Sequence, residues 1–130
     1  MMQLTPLDPS RGIYATGPEY IHAILVENAS RLAIVSGTMG LDPRGVAGST
    51  IDEQLTLIWR NIGLILRSAG MTEDNIVQIR SYLSEEAFAD VNAEHRMAAM
   101  KNRAVAVTTL VTGLLESSWL VEIEVLAAGD

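Results

Sequence analysis

Thr50-Ile51-Asp52-Glu53 has the spacing of a capping box, in which Thr50 and Glu53 satisfy each other's backbone N–H groups at the helix start. From there Ile51, Leu55, Ile58, Ile62, Ile65 and Leu66 return at a 3.6-residue period, and Gly70 suits the left-handed stop of a helix. The pattern predicts an amphipathic helix from 51 to just before Gly70 whose apolar stripe must be buried against another element. It is not a membrane span: Arg60 interrupts it, Glu53 and Arg67 flank it, and its apolar residues are too broken to cross about 30 Å of hydrocarbon.

The flanking text supplies strands. Segments 20–26 and 32–38 are rich in strand formers, and Glu27-Asn28-Ala29-Ser30 between them has the polar character of a hairpin loop. Segment 40–48 is dense in glycine and carries Pro43, which predicts an exposed loop of the kind that borders sites. Segment 76–83 alternates Val77 and Ile79 against Gln78 and Arg80, as a strand does. Ser84-Glu85-Glu86 predicts a second helix with Ser84 as its cap and acids in its first turn, and with Phe88, Val91, His95 and Ala98 on its inner face. Strands over 104–112 and 119–127 complete a ββαβαββ order, an α+β chain whose single sheet carries two helices on one face. Strand residues such as Val105, Val107, Val121, Ile123 and Val125 supply more apolar surface than one covered face needs, so oligomerisation through the open face is expected.

The 130 residues fit one domain spanning 1–130. A net charge of −7 disfavours nucleic acid, whose phosphates demand clustered Lys and Arg. The absence of cysteine removes disulfides, thiolate metal sites and a thiol nucleophile, and fits a cytoplasmic location. The start, Met1-Met2-Gln3-Leu4-Thr5-Pro6, has neither the basic residues nor the apolar run of a secretory signal, so no export and no membrane attachment are expected. His22 and His95 lack metal-ligand spacing; each reads better as a hydrogen-bonded structural residue, His95 in the core. Glu122 and Glu124, two apart in a strand, share a face. Gly37-Thr38-Met39-Gly40 lacks the following lysine of a phosphate-cradling loop.

Read in order, Gly17-Pro18-Glu19-Tyr20, Val35-Ser36-Gly37, Leu41-Asp42-Pro43, Gln54 with Asn61, Ala69-Gly70, Phe88 with Val91-Asn92, and Trp119-Leu120-Val121-Glu122-Ile123-Glu124 resemble the Rid (YjgF/YER057c/UK114) family. The likeness runs over roughly residues 12–128. It implies a chorismate-mutase-like fold, a homotrimer around a central β-barrel, and ligand clefts between subunits. It also implies a small carboxylate or imine as ligand, hydrolysis of reactive 2-imino acids to 2-oxo acids and ammonia, and no cofactor or metal. Tyr20 matches the tyrosine after the family's Gly-Pro, with Glu19 inserted between them; Asn92 matches the motif asparagine of the second helix; Glu122 matches the glutamate that handles the attacking water. The alternative is a non-catalytic trimeric module that binds a metabolite or a partner protein, and a ribonuclease role sits poorly with the acidic balance.

One family feature is displaced. The chemistry uses an arginine, whose planar fork pairs with a carboxylate in two places. The family places it at the start of the strand before the last. Arg103 is the substrate-binding candidate by residue type, yet alignment from Asn92 and from Trp119 both puts Ala106 at the arginine position. The offset, 106 − 103 = 3 residues, is odd, which in a strand turns Arg103 to the other face. Loss of such a clamp removes charge-assisted hydrogen bonds worth about 1.5–3 kcal/mol, so weak deamination is expected.

Overall fold

A computed structural model describes all 130 residues. Six strands and two α-helices follow one another as β1 (Gln3–Leu7), β2 (Ala23–Glu27), β3 (Arg31–Met39), α1 (Ile51–Ser68), β4 (Ile76–Leu83), α2 (Ala89–Ala99), β5 (Ala106–Val111) and β6 (Val121–Gly129). β3, β6, β4 and β5 form a four-stranded sheet in that order, antiparallel except for the parallel pair β4–β5. The α+β architecture with both helices against one face is as the sequence predicts, whereas the single sheet and the 20–38 hairpin are not, because an extra N-terminal strand makes a separate two-stranded sheet. β2 pairs with β1, a strand the sequence hides behind Pro6, and β3 goes to β6 instead.

α1 forms as its spacing demands, but only half of the capping box closes, since the Glu53 carboxylate reaches Ser49 rather than the Thr50 N–H. The Thr50 hydroxyl accepts from the Glu53 N–H at 3.1 Å, and the Glu53 carboxylate takes the N–H and hydroxyl of Ser49, each at 2.7 Å. Those Ser49 bonds, foremost the one from its hydroxyl, lower the Glu53 pKa by stabilising the charged form. Leu55, Ile58, Ile62 and Leu66 are fully buried and pack on Ile79, Leu83, Val121 and Ile123 of the sheet, while Ile65 turns out to be exposed. Gly70, at φ +70°, ends the helix with the left-handed geometry expected of it.

α2 departs from expectation at both its start and its inner face. The Ser84 hydroxyl donates to the Leu120 carbonyl at 2.9 Å and cannot cap, so the chain passes through a short 3₁₀ turn at Glu86–Phe88 before α2 begins uncapped. Its deepest residues are Asn92 and Arg96, and Ala98 faces solvent. His95 is no core residue; its Nε2 sits 2.9 Å from Asp52 and ties α2 to the first turn of α1.

The apolar surplus lies elsewhere than the sequence suggested. Val105, Val121, Ile123 and Val125 all face the helices, and the uncovered face displays Leu32, Ile34 and Leu110 instead. Gly40 sits where β3 passes under α1, and a methyl group there would meet the Gln54 backbone at 2.5 Å. Backbone cannot step aside, so Gly40→Ala is expected to destabilise by about 1–3 kcal/mol, readable as a lowered denaturation midpoint with unchanged slope.

Candidate functional site

Glu122 and Glu124 stand on the uncovered face of β6, across from Tyr82 and Arg80 of β4. They are not equivalent. Glu124 accepts a short hydrogen bond from the Tyr82 hydroxyl and lies 3.6 Å from the Arg80 guanidinium. That bond to Glu124 holds the Tyr82 phenol pKa above its ordinary value, since losing the proton would set two negative groups together. Glu122 makes no hydrogen bond and no ion pair within the chain. Its carboxylate lies over Gly37, so close that a side chain at Gly37 would meet Oε2 at 2.2 Å. The approach is set by an irregularity in β3 between Val35 and Thr38, where the register to β6 slips. Gly37, Tyr82, Glu122 and Glu124 line a cavity of about 310 Å³ closed by the 112–115 segment. Gly37 also borders a larger groove of about 820 Å³ between β3 and α1, lined in part by Leu41, Asp42 and Pro43 of the glycine-rich loop.

Tyr20 occupies a second cavity, of about 450 Å³, on the β5 edge of the sheet, with Tyr14, Glu19, Arg96, Thr108 and Thr109. The chain reaches that edge because the Ile21 N–H donates to the Val105 carbonyl at 3.1 Å, bridging Ile21 to Ala106 in parallel. His22 is held by its ring: Nε2 is 2.7 Å from the Tyr14 carbonyl, and the two rings meet edge to face at 4.9 Å, the structural use expected of it. Asn92 is fully buried on α2 one turn before Arg96, and neither its amide nitrogen nor its oxygen finds a partner in the chain. Tyr20 and Glu122 therefore border two separate cavities of one protomer.

Arg103 joins neither cavity. Lys101 and Asn102 after α2 both adopt left-handed conformations, φ 53° and 63°, and the guanidinium of Arg103 donates to the Glu73 carbonyl at 2.9 Å. Glu73 precedes β4, whereas Glu122 pairs with Tyr82 near its far end, on the order of 20 Å of strand away. β5 begins at Ala106, opposite Gln78. Arg103 stands three residues before β5 starts, directly after the turn at Lys101 and Asn102, so a parity count along the strand does not reach it.

Arg96 was missed altogether. Its residue exposure is 5%, its Nε has no partner, and its one counter-charge is the Glu19 carboxylate at 3.8 Å. Burial lowers its pKa and Glu19 partly restores it. The available signal was the four-residue step from Asn92, which sets both side chains on one helical face. No group of carboxylates and histidines is arranged to hold a metal ion, and no helix is long and apolar enough to cross a membrane.

Comparison with known proteins adds relatives to this geometry. Residues 13–129 match the family model described as Endoribonuclease L-PSP. A Rid-family protein of unknown function from Yersinia pestis superposes with a TM-score of 0.83 at 23% identity, over 96% of this chain and 98% of that one. A candidate endoribonuclease L-PSP from Entamoeba histolytica is 30% identical over 97% of this chain and 99% of its own, with a TM-score of 0.70. A Mycobacterium tuberculosis member of the YjgF/YER057c/UK114 family is 28% identical over 97% and 99%, with a TM-score of 0.65. No curated protein matches the chain.

Proposed function

The chain belongs to the Endoribonuclease L-PSP family, the YjgF/YER057c/UK114 or Rid proteins, and on that premise we propose that it is a homotrimer binding small carboxylated carbonyl or imine metabolites between subunits. The observation that carries the reading is the free Glu122 carboxylate, half-buried over Gly37 while its neighbour Glu124 is occupied by Arg80 and Tyr82. A carboxylate without a protein partner is available to a water molecule. In hydrolysis of a protonated imine it accepts a proton as that water adds to the C=N carbon and returns it to the carbinolamine nitrogen; as the C–N bond breaks it takes the hydroxyl proton and passes it to the departing ammonia, leaving an oxo acid and ammonium. No redox partner or metal is needed for that balance. Tyr20 is the proposed substrate-side group, with the fully buried Asn92 supporting the site from behind on α2, and a neighbouring protomer would bring the Tyr20 edge of one sheet towards the Glu122 face of the next. Arg103, committed to Glu73, is left out of the site.

A threonine dehydratase generates the 2-imino acid that tests this reading. With alanine at the family's arginine position the protein is expected to speed the appearance of 2-oxobutanoate only weakly, and Glu122→Gln to remove most of that acceleration, since a general acid–base group typically contributes about 10²–10⁴-fold. Equal rates with and without the wild-type protein would replace the hydrolase by the second reading, a non-catalytic metabolite- or partner-binding module. Ala106, at the position where the family's arginine is aligned, is the observation that favours that module.

A further inference from the structure

We infer that Arg96 is the guanidinium that holds a ligand carboxylate in the Tyr20 cavity, and that Glu19 is its resident counter-ion, displaced when the ligand enters. The inference rests on the reading of that cavity as part of a cleft for small carboxylated carbonyl compounds.

Arginines elsewhere in the chain show what a structural role looks like. Arg31 donates to the carbonyls of Ala69 and Asp130 at 2.6 and 2.9 Å, and Arg103 donates to that of Glu73. Arg96 is buried more deeply than either, yet it donates no hydrogen bond within the chain and its Nε is unpartnered. An N–H donor taken out of water, as that of Nε is, costs stability unless an acceptor replaces the water, so a buried guanidinium that makes no hydrogen bond points to an acceptor from outside the fold. Glu19 supplies charge without geometry. At 3.8 Å it is beyond hydrogen-bond reach, and its side chain is 59% exposed, so water competes for it. A ligand carboxylate arriving in the plane of the fork would make the paired N–H contacts that Glu19 does not make.

The rest of the cavity suits a small acid. Its volume is about 450 Å³, Thr108, Thr109 and Tyr20 are among the residues that line it, and Ala89 and Ala93 keep the α2 side low. The guanidinium that β5 lacks at Ala106 is thereby offered from the helix packed over β5. The inserted Glu19 marks the same spot from the other wall.

Calorimetric titration of the full-length protein with 2-oxobutanoate, and separately with neutral 2-butanone, tests the assignment. Wild type is expected to bind the acid and not the ketone. Arg96→Met should weaken binding of the acid by roughly tenfold or more, and Arg96→Lys, which keeps charge but not the fork, by an intermediate factor. Glu19→Gln, at an exposed position that folding tolerates, should tighten binding by about threefold, because the ligand no longer displaces a carboxylate. Arg103→Ala should leave it unchanged. Wild-type affinity in Arg96→Lys or Arg96→Met, or no gain in Glu19→Gln, overturns the role of Arg96 while leaving the cleft intact. Equal binding of acid and ketone does the same. Binding of neither by wild type removes the cleft reading, and this inference with it.

Discussion

Ile34→Glu is expected to convert the proposed homotrimer to a monomer in sedimentation velocity, with the far-ultraviolet circular dichroism unchanged. Ile34 is 79% exposed on β3, an edge strand, and Leu32 beside it on the same face is 61% exposed. Both flank Leu126 and Ala128 of β6, so the apolar strip runs along the open side of the sheet rather than into the core. Covering one such side chain in an interface stabilises association by about 1.5–3 kcal/mol. A glutamate in its place must be desolvated without a partner, costing several kcal/mol more at each of the interfaces it enters. The folded monomer is indifferent, because the side chain already points to water. Since Glu122 lies on the same face of the sheet, loss of assembly should also abolish any acceleration of imine hydrolysis. A wild-type protein that sediments as a monomer, or a variant that sediments with it, would remove the trimer and the shared cleft together.

What the sequence disclosed follows the physical range of its signals. α1 was readable from end to end because capping, period and stop are all local, and each lies within a few residues of its effect. Strand existence was readable for the same reason, but strand partners were not. Alternation says that residues 20–26 want one face buried; it does not say against which strand, and β1, carrying Pro6 and mostly exposed, gave no alternation to read. α2 misled because the rule that apolar residues mark the inner face holds only in part: Phe88 and Val91 pack against the core, but polar side chains lie deeper. Asn92 and Arg96 hold the deepest positions, and a buried unpartnered arginine is what a composition-based reading discounts first. Arg103 shows a third kind of limit. Parity arguments assume that Arg103 already lies in the strand, whereas β5 begins only at Ala106 and Arg103 follows directly on the left-handed turn at Lys101 and Asn102. Glu122 and Glu124 were legible as a pair sharing a face, but not as one occupied and one free carboxylate, since Arg80 and Tyr82 reach Glu124 only through the β4–β6 register.

Gln54→Leu should lower the melting temperature by roughly 10 °C, the largest stability loss expected from a single side chain outside the apolar core. Gln54 is 1% exposed in the first turn of α1 and uses its amide fully. Its Nε2 donates to the carbonyls of Gly48 and Ser118 at 2.8 and 2.9 Å, and its Oε1 accepts from the Leu120 N–H at 2.8 Å. Leucine fills a similar volume, so little of the loss comes from packing; it comes from three backbone groups left without partners, at about 1 kcal/mol or more each. Gln54→Glu separates the two halves of the argument. It keeps the acceptor for Leu120 but turns the two carbonyl contacts repulsive, and at neutral pH it should be at least as destabilising as leucine. The consequence reaches the site by a short path. Ser118 and Leu120 lead directly into Val121 and Glu122, so the glutamine that stabilises α1 also fixes where β6 begins, and with it the height of the free carboxylate over Gly37. A fall of less than about 3 °C in Gln54→Leu by scanning calorimetry would mean that water replaces these bonds at no cost, and that the approach to Glu122 is held by the β4–β6 ladder alone.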